Sequence, residues 1–233
     1  MIAANLQSLR ERINEKCTAC NREPEEIKLI AVSKFFGIDA IQEANNLGIT
    51  DFGENKAQEL RDKFDFIGDK VTWHFIGTLQ KNKAKYAVKA AEYIHSVDSI
   101  LLADAINKQA QKLDKQQKIL IEIKTSEEES KAGLCEEDDI RELVKFCRNK
   151  ANLELIGLMT MAPFTDDKKK IRKSFSYLRK LKDKLNNQGF DLRELSMGMT
   201  SDFEIAIEEG STMLRIGSAI FGQREYSKDW RQL

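Results

Sequence analysis

The chain has 233 residues, 41% of them hydrophobic, and its 38 basic residues balance 38 acidic ones for a formal net charge of zero. That length suits one large α/β domain or two small ones with a sizeable core. No basic excess is available to neutralise phosphates, which argues against a nucleic-acid protein, and no apolar stretch is long enough to span a bilayer.

Ile2, Leu6, Leu9 and Ile13 recur at helical spacing. They predict an amphipathic helix over residues 1–20, packed on whatever follows and lacking a signal-peptide core. The expected compartment is therefore the cytoplasm. Cys17-Thr18-Ala19-Cys20 is a lone CxxC with no second pair at zinc-ribbon spacing, and His74 and His95 are the only histidines. Neither a metal site nor a disulfide is expected. Lys168-Lys169-Lys170-Ile171-Arg172-Lys173 reads as a solvated helix face rather than a binding patch.

Strand candidates fall at 27–34, 49–53, 71–76, 93–97, 119–124, 153–159, 192–197 and 212–217. Helical patterns separate them. Ser99–Leu113 places Leu102, Ala105, Ile106, Ala110 and Leu113 on one face, and Lys168–Leu185 carries a stripe of Ile171, Phe175, Leu178, Leu181 and Leu185. Glu136–Lys150 is acidic in its first turn and basic in its last, matching the helix dipole, with Cys147 on its apolar stripe. No linker divides the chain. Eight βα units point to an α/β fold, a single-domain (β/α)8 TIM barrel over 1–233 with the extra N-terminal helix; an open doubly wound sheet is the competing architecture.

In a barrel, chemistry gathers at the C-terminal ends of the strands. Lys34 closes the apolar run Ile27–Lys34 at such an end. Desolvation there would favour its neutral, nucleophilic amine, although a snorkelling lysine with a wet head fits the same pattern. Gly53-Glu54-Asn55, His74, Met159-Thr160, Ser196-Met197-Gly198 and Arg215-Ile216-Gly217-Ser218 fall on the same rim.

Ser201 and Glu204 have capping-box spacing, and Gly210 can close the helix they would start. The free amides of that start, the hydroxyls of Ser196 and Thr200, and the close approach allowed by Gly217-Ser218 predict a phosphate site between the last two strands. Arg215 lies in an apolar strand and needs an acceptor, either a rim carboxylate or a ligand's aromatic nitrogen or carboxylate. An amine, a phosphate cradle and an arginine on one rim suggest pyridoxal 5′-phosphate.

Seven stretches then carry a resemblance: Ala31-Val32-Ser33-Lys34, Phe52-Gly53-Glu54-Asn55, Trp73-His74-Phe75-Ile76-Gly77 with Leu79-Gln80-Lys81-Asn82-Lys83, Ser130-Lys131-Ala132-Gly133, Gly157-Leu158-Met159-Thr160-Met161, Ser196-Met197-Gly198-Met199, and Arg215–Gly222. In this order, and with Tyr226-Ser227-Lys228 at the end, the chain resembles the pyridoxal phosphate homeostasis proteins, close in fold to the barrel domain of alanine racemase (fold type III). The resemblance implies that Lys34 holds the cofactor as a Schiff base and Arg215 sits by the pyridine nitrogen. It also implies that Ser196, Thr200, Gly217 and Ser218 hold the phosphate, while Asn55, His74 and Met159 line the pocket. Phe35-Phe36 stand where many members carry polar residues and a proline, which makes that side more apolar.

The racemase's second base is a tyrosine from an additional β-domain, and this chain ends 11 residues after Gly222. The expected function is therefore a non-catalytic cytoplasmic carrier that buffers pyridoxal phosphate or delivers it to apo-enzymes, influencing amino- and keto-acid pools, with a monomer expected. A slow amino-acid racemase and a cofactor-free class I aldolase stay open as alternatives.

Overall fold

A computed structural model describes residues 1–126, 128, 132–223 and 230–232. Ser130-Lys131 and Tyr226-Ser227-Lys228 lie outside the described residues. The strands are β1 (Lys28–Val32), β2 (Asp51–Glu54), β3 (Thr72–Phe75), β4 (Tyr93–Val97), β5 (Gln117–Glu122), β6 (Leu153–Met159), β7 (Glu194–Ser196) and β8 (Met213–Ile216). Each pairs in parallel with the next, and β8 pairs with β1 in the register Ile30–Arg215, so the sheet closes as a barrel. The helices are α1 (Ile2–Ala19), α2 (Ile38–Asn46), α3 (Ala57–Ile67), α4 (Ala84–Ala90), α5 (Ile100–Lys112), α6 (Glu137–Arg148), α7 (Lys168–Asn186), α8 (Phe203–Glu208) and α9 (Ser218–Phe221).

Two apolar layers follow from strand alternation. Outward residues such as Phe52, Trp73, Phe75, Ile94, Leu195 and Leu214 meet the helices. Inside the barrel, Ile30, Leu120, Ile156, Met159 and Met213 form a separate cluster. The helix α1 buries Ile2, Leu6, Leu9, Ile13 and Cys17, and packs on α8 and α9. Asn5 there donates to the Ile220 carbonyl at 2.9 Å, and Lys16 reaches Glu208 at 2.6 Å.

Several expected boundaries move for local reasons. The first strand stops at Val32 because Phe35 has a φ of 71°, which no strand continues through. The second begins at Asp51, since the Ile49 amide bonds back to Ala44 and finishes the α2 turn. Leu113, expected on the buried face of α5, sits at its C-cap and is 51% exposed. Ser99 caps that helix by accepting the Leu102 amide.

The capping box at Ser201 and Glu204 does not form. Asp202 is the N-cap of α8, and its carboxylate accepts the Met199 amide of the preceding loop. Ser201 is exposed, while Glu204 is drawn to Arg12 of α1 at 2.7 Å. Gly210 does follow the helix, at a φ of 89°. Among the described residues, no helix is long and apolar enough to cross a membrane.

Candidate functional site

Lys34 lies in the turn that leaves β1, half-buried, between the buried Ser33 and the strained Phe35. A buried charge cluster braces this turn from below. Lys63 of α3 is fully buried and donates to Glu54 at 2.7 Å, to Glu59 at 2.8 Å and to the Ser33 carbonyl at 2.9 Å. Those contacts use the three donors of an ammonium. Ser33 Oγ donates to Glu54 at 2.6 Å, and the Phe35 amide donates to Glu59 at 2.9 Å. Both neighbours of Lys34 are thus held by one cluster. Burial pushes the Glu54 carboxyl up to about 7, with the Lys63 charge offsetting part of the rise and Glu59 adding to it. The ring of Phe36 stacks on Phe221 at 4.8 Å, joining this turn to α9.

Next to this turn, since β8 pairs with β1, the loops after β7 and β8 meet. Ser218 Oγ donates to Thr200 Oγ1 at 3.2 Å, and the Ala219 amide points to the same hydroxyl at 3.4 Å. Gly198, at a φ of 98°, lets the loop after β7 turn close: a Cβ there would stand 2.6 Å from the Ala206 Cβ and 2.8 Å from Leu214. Its carbonyl accepts the Arg215 amide at 3.0 Å.

Arg215 points into the barrel and is 4% exposed. One guanidinium nitrogen donates to Ser196 Oγ at 2.7 Å and another to the Thr160 carbonyl at 2.9 Å. Burial pulls its pKa down to about 10, against the opposing fields of Asp202 and Glu122. Burial likewise raises the Glu122 carboxyl to about 7, partly offset by Arg215. Deeper in the barrel, Ser196 Oγ lies 2.9 Å from His95 Nδ1, His95 Nε2 lies 2.9 Å from His74 Nδ1, and His74 Nε2 lies 2.9 Å from Asp51. Tyr93 stacks on His74 at 4.4 Å. Burial lowers both imidazole pKa values; Asp51 opposes this at His74, while the nearby positive groups deepen it at His95.

The residues singled out in the sequence therefore divide. Ser196 and Arg215 are in direct contact, as are Thr200 and Ser218, with Gly217 capping α9 beside them. The Ser196 hydroxyl is buried and contacts Arg215 and His95 inside the barrel. Asn55 follows β2, and its Oδ1 is buried with no hydrogen-bond partner among the described residues. Met159 lies in the interior cluster, and His74 is fully buried below the rim.

Asp51, His95, Glu122, Glu59 and Lys63 were not singled out, although alternation in Tyr93-Ile94-His95 places His95 opposite the outward Ile94. The described residues hold no cluster of three or more His, Cys, Asp or Glu placed for a metal ion, and the four cysteines are unpaired.

The family model described as the N-terminal domain of alanine racemase matches residues 2–225. The pyridoxal phosphate homeostasis protein of Aquifex aeolicus is 40% identical over 223 residues, covering 95% of this chain and 97% of its own. That of Escherichia coli K12 is 38% identical over 235 residues, with 97% and 98% covered. The structure of PipY from Synechococcus elongatus with PLP bound superposes with a TM-score of 0.84 at 35% identity, covering 95% of this chain and all of that one. An alanine racemase of Clostridium difficile shares the fold at 18% identity, with a TM-score of 0.76 over 98% of this chain and 58% of its own.

Proposed function

We propose that this chain, which belongs to the pyridoxal phosphate homeostasis proteins of the alanine racemase N-terminal domain family, captures pyridoxal 5′-phosphate covalently and reversibly through Lys34 and buffers it in the cytoplasm. The observation that carries this reading is the buried Arg215–Ser196 pair on β8 and β7, with the Thr200–Ser218 hydroxyls in the loops that follow those strands and the Lys34 turn leaving β1, the strand paired with β8. The residues present fit the group. The hydroxyls of Thr200 and Ser218 and the amides starting α9 suit a phosphate. The unpartnered Asn55 Oδ1 suits a phenolic hydroxyl, which brings a donor. When bound, the cofactor supplies an aldehyde carbon that an amine takes up reversibly, with water as the other product.

Arg215 supports a reading without strong carbanion chemistry. A guanidinium with a pKa of about 10 stays charged at neutral pH, and a cation beside a pyridine nitrogen opposes its protonation. The ring is then a weak electron sink. No tyrosine among the described residues is placed as a second base: Tyr93 lies in the barrel between His74 and the Lys28 and Lys118 ammoniums, Tyr86 rests against Arg61, and Tyr177 belongs to the α7 face. The protein holds the cofactor rather than turning over an amino acid, acts as a monomer, and releases its load to apo-enzymes that need it.

The test is the visible spectrum of the purified protein and of Lys34→Ala with added pyridoxal phosphate, before and after borohydride. A band present only in the wild-type protein, with the reduced adduct mapped to Lys34, is expected. Absence of any band would overturn the reading and favour a class I aldolase. Substrate-dependent exchange of an amino acid's α-proton in heavy water would replace the carrier with a racemase.

A further inference from the structure

The two histidines of this chain belong to one unbroken run of hydrogen bonds from the barrel floor to Arg215. Its two ends determine its direction. A guanidinium can only donate, and a carboxylate can only accept. Asp51 remains a carboxylate because its hydrogen bonds to His74 and Thr50 outweigh its burial and hold it below the usual range. Each neutral imidazole between has one donor and one acceptor. One arrangement satisfies every link: Arg215 donates to Ser196 Oγ, Ser196 donates to His95 Nδ1, His95 Nε2–H donates to His74 Nδ1, and His74 Nε2–H donates to Asp51 Oδ1.

A buried charge needs compensation. Among the described residues, no carboxylate forms an ion pair with Arg215; Glu122 and Asp202 act on it only through space. Asp51 lies at the other end of the chain, beside Lys28 at 3.4 Å, and borders a cavity of about 560 Å³ that opens at the N-terminal end of the barrel. The other charged or titratable groups facing the two imidazoles are Lys28, Glu92 and the stacked Tyr93 at His74, and Arg215 at His95.

We propose that Asp51, His74 and His95 are positioning residues for Arg215, forming with Ser196 a one-way hydrogen-bond chain that orients the guanidinium. Toward a bound ligand, this proposal rests on the reading given above. The chain presents Arg215 to the ring nitrogen in one orientation, because the Ser196 proton is committed to His95 and its oxygen is left as an acceptor for the guanidinium.

With only two histidines, the imidazole nitrogens can be read by ¹⁵N NMR on the ligand-free protein. Both rings are expected as neutral Nε2–H tautomers that titrate below a solvated imidazole, because they are buried. An Nδ1–H tautomer at either ring, or titration near the solvated value, would overturn the chain. His95→Leu severs it, and is expected to abolish the resolved, slowly exchanging Arg215 guanidinium signals and to weaken pyridoxal phosphate binding about tenfold. Asp51→Asn keeps an acceptor oxygen but removes the charge; it is expected to preserve both tautomers while weakening binding by a smaller factor. Unchanged Arg215 signals and affinity in His95→Leu would also refute the proposal. If the wild-type protein forms no chromophore with pyridoxal phosphate, the functional reading fails, and the tautomers and Arg215 signals still decide the chain.

Discussion

Glu59 Oε1 accepts the amide of Phe35 at 2.9 Å, so a carboxylate of α3 grips the residue that follows Lys34. The same oxygen accepts from Lys63, which also holds the carbonyl of Ser33, the residue before Lys34. The turn carrying the amine is thereby clamped on both sides by charges that water does not reach. Trp230 lies over the Lys63 ammonium at 5.2 Å and closes the cluster from the C-terminal side.

Replacing Lys63 with Met should therefore act on both stability and capture. Two buried carboxylates lose their shared cation, a loss of about 3–5 kcal/mol for a broken buried pair. Urea unfolding should show that drop. Adding Glu54→Gln to Lys63→Met should recover part of it, because one of the stranded charges is removed. A Lys63→Met protein of wild-type stability would mean that the cluster does not brace the turn.

A second prediction concerns pH. The folded-state pKa of Glu122 is raised from 4.5 to about 7, chiefly by burial. The folded protein therefore keeps a proton that the unfolded chain loses between those values. Glu122's contribution to stability is fully present below about pH 4.5 and is lost as pH rises through about 7. Glu122→Gln cannot ionise, so its stability relative to wild type should rise by up to about 3 kcal/mol between pH 5 and 8. Glu54, with the same sign, and the two histidines, with the opposite sign, are common to both proteins and cancel in the difference. Urea midpoints at both pH values measure it, and parallel pH profiles would refute it.

The barrel was legible because each strand is a short apolar run between amphipathic helices, and β4 and β6 begin and end where their runs do. The rim residues were legible because Lys34, Arg215 and the Gly-Ser after β8 break that apolar pattern. Lys63 was not: on an isolated α3 it reads as one more solvated lysine, and only the approach of β2 and the Lys34 turn buries it. Asp51 and His95 were hidden for a similar reason, since each acquires its meaning from a partner on another strand. The failed capping box makes the converse point. Ser201 and Glu204 have the right spacing, but Asp202 occupies the cap and Arg12, from the far end of the chain, draws Glu204 away.

Gly198 offers a third prediction. Its φ of 98° is strained for any side chain, and a Cβ would press on Ala206 and Leu214. Gly198→Ala should lower stability by more than about 1 kcal/mol. It should also weaken pyridoxal phosphate binding, because the Gly198 carbonyl holds the Arg215 amide and the same loop carries Thr200. Thermal melting and ligand titration read the two effects, and a variant with unchanged melting and affinity would show that the tight turn is dispensable.

The phosphate contacts proposed for Thr200 and Ser218 can be tested apart from the rest of the ligand. Thr200→Val preserves shape and Ser218→Ala removes only an exposed oxygen, so neither should change stability by more than about 0.5 kcal/mol. A hydrogen bond to a charged group contributes about 1.5–3 kcal/mol. Each variant should accordingly bind pyridoxal phosphate at least about tenfold more weakly. Pyridoxal, which has the aldehyde and ring but no phosphate, should bind both variants as it binds the wild-type protein. Because Thr200 and Ser218 already touch at 3.2 Å, the double variant should lose less than the product of the two single effects. Equal losses for pyridoxal and its phosphate would move the phosphate elsewhere and leave Thr200 and Ser218 as a loop contact alone.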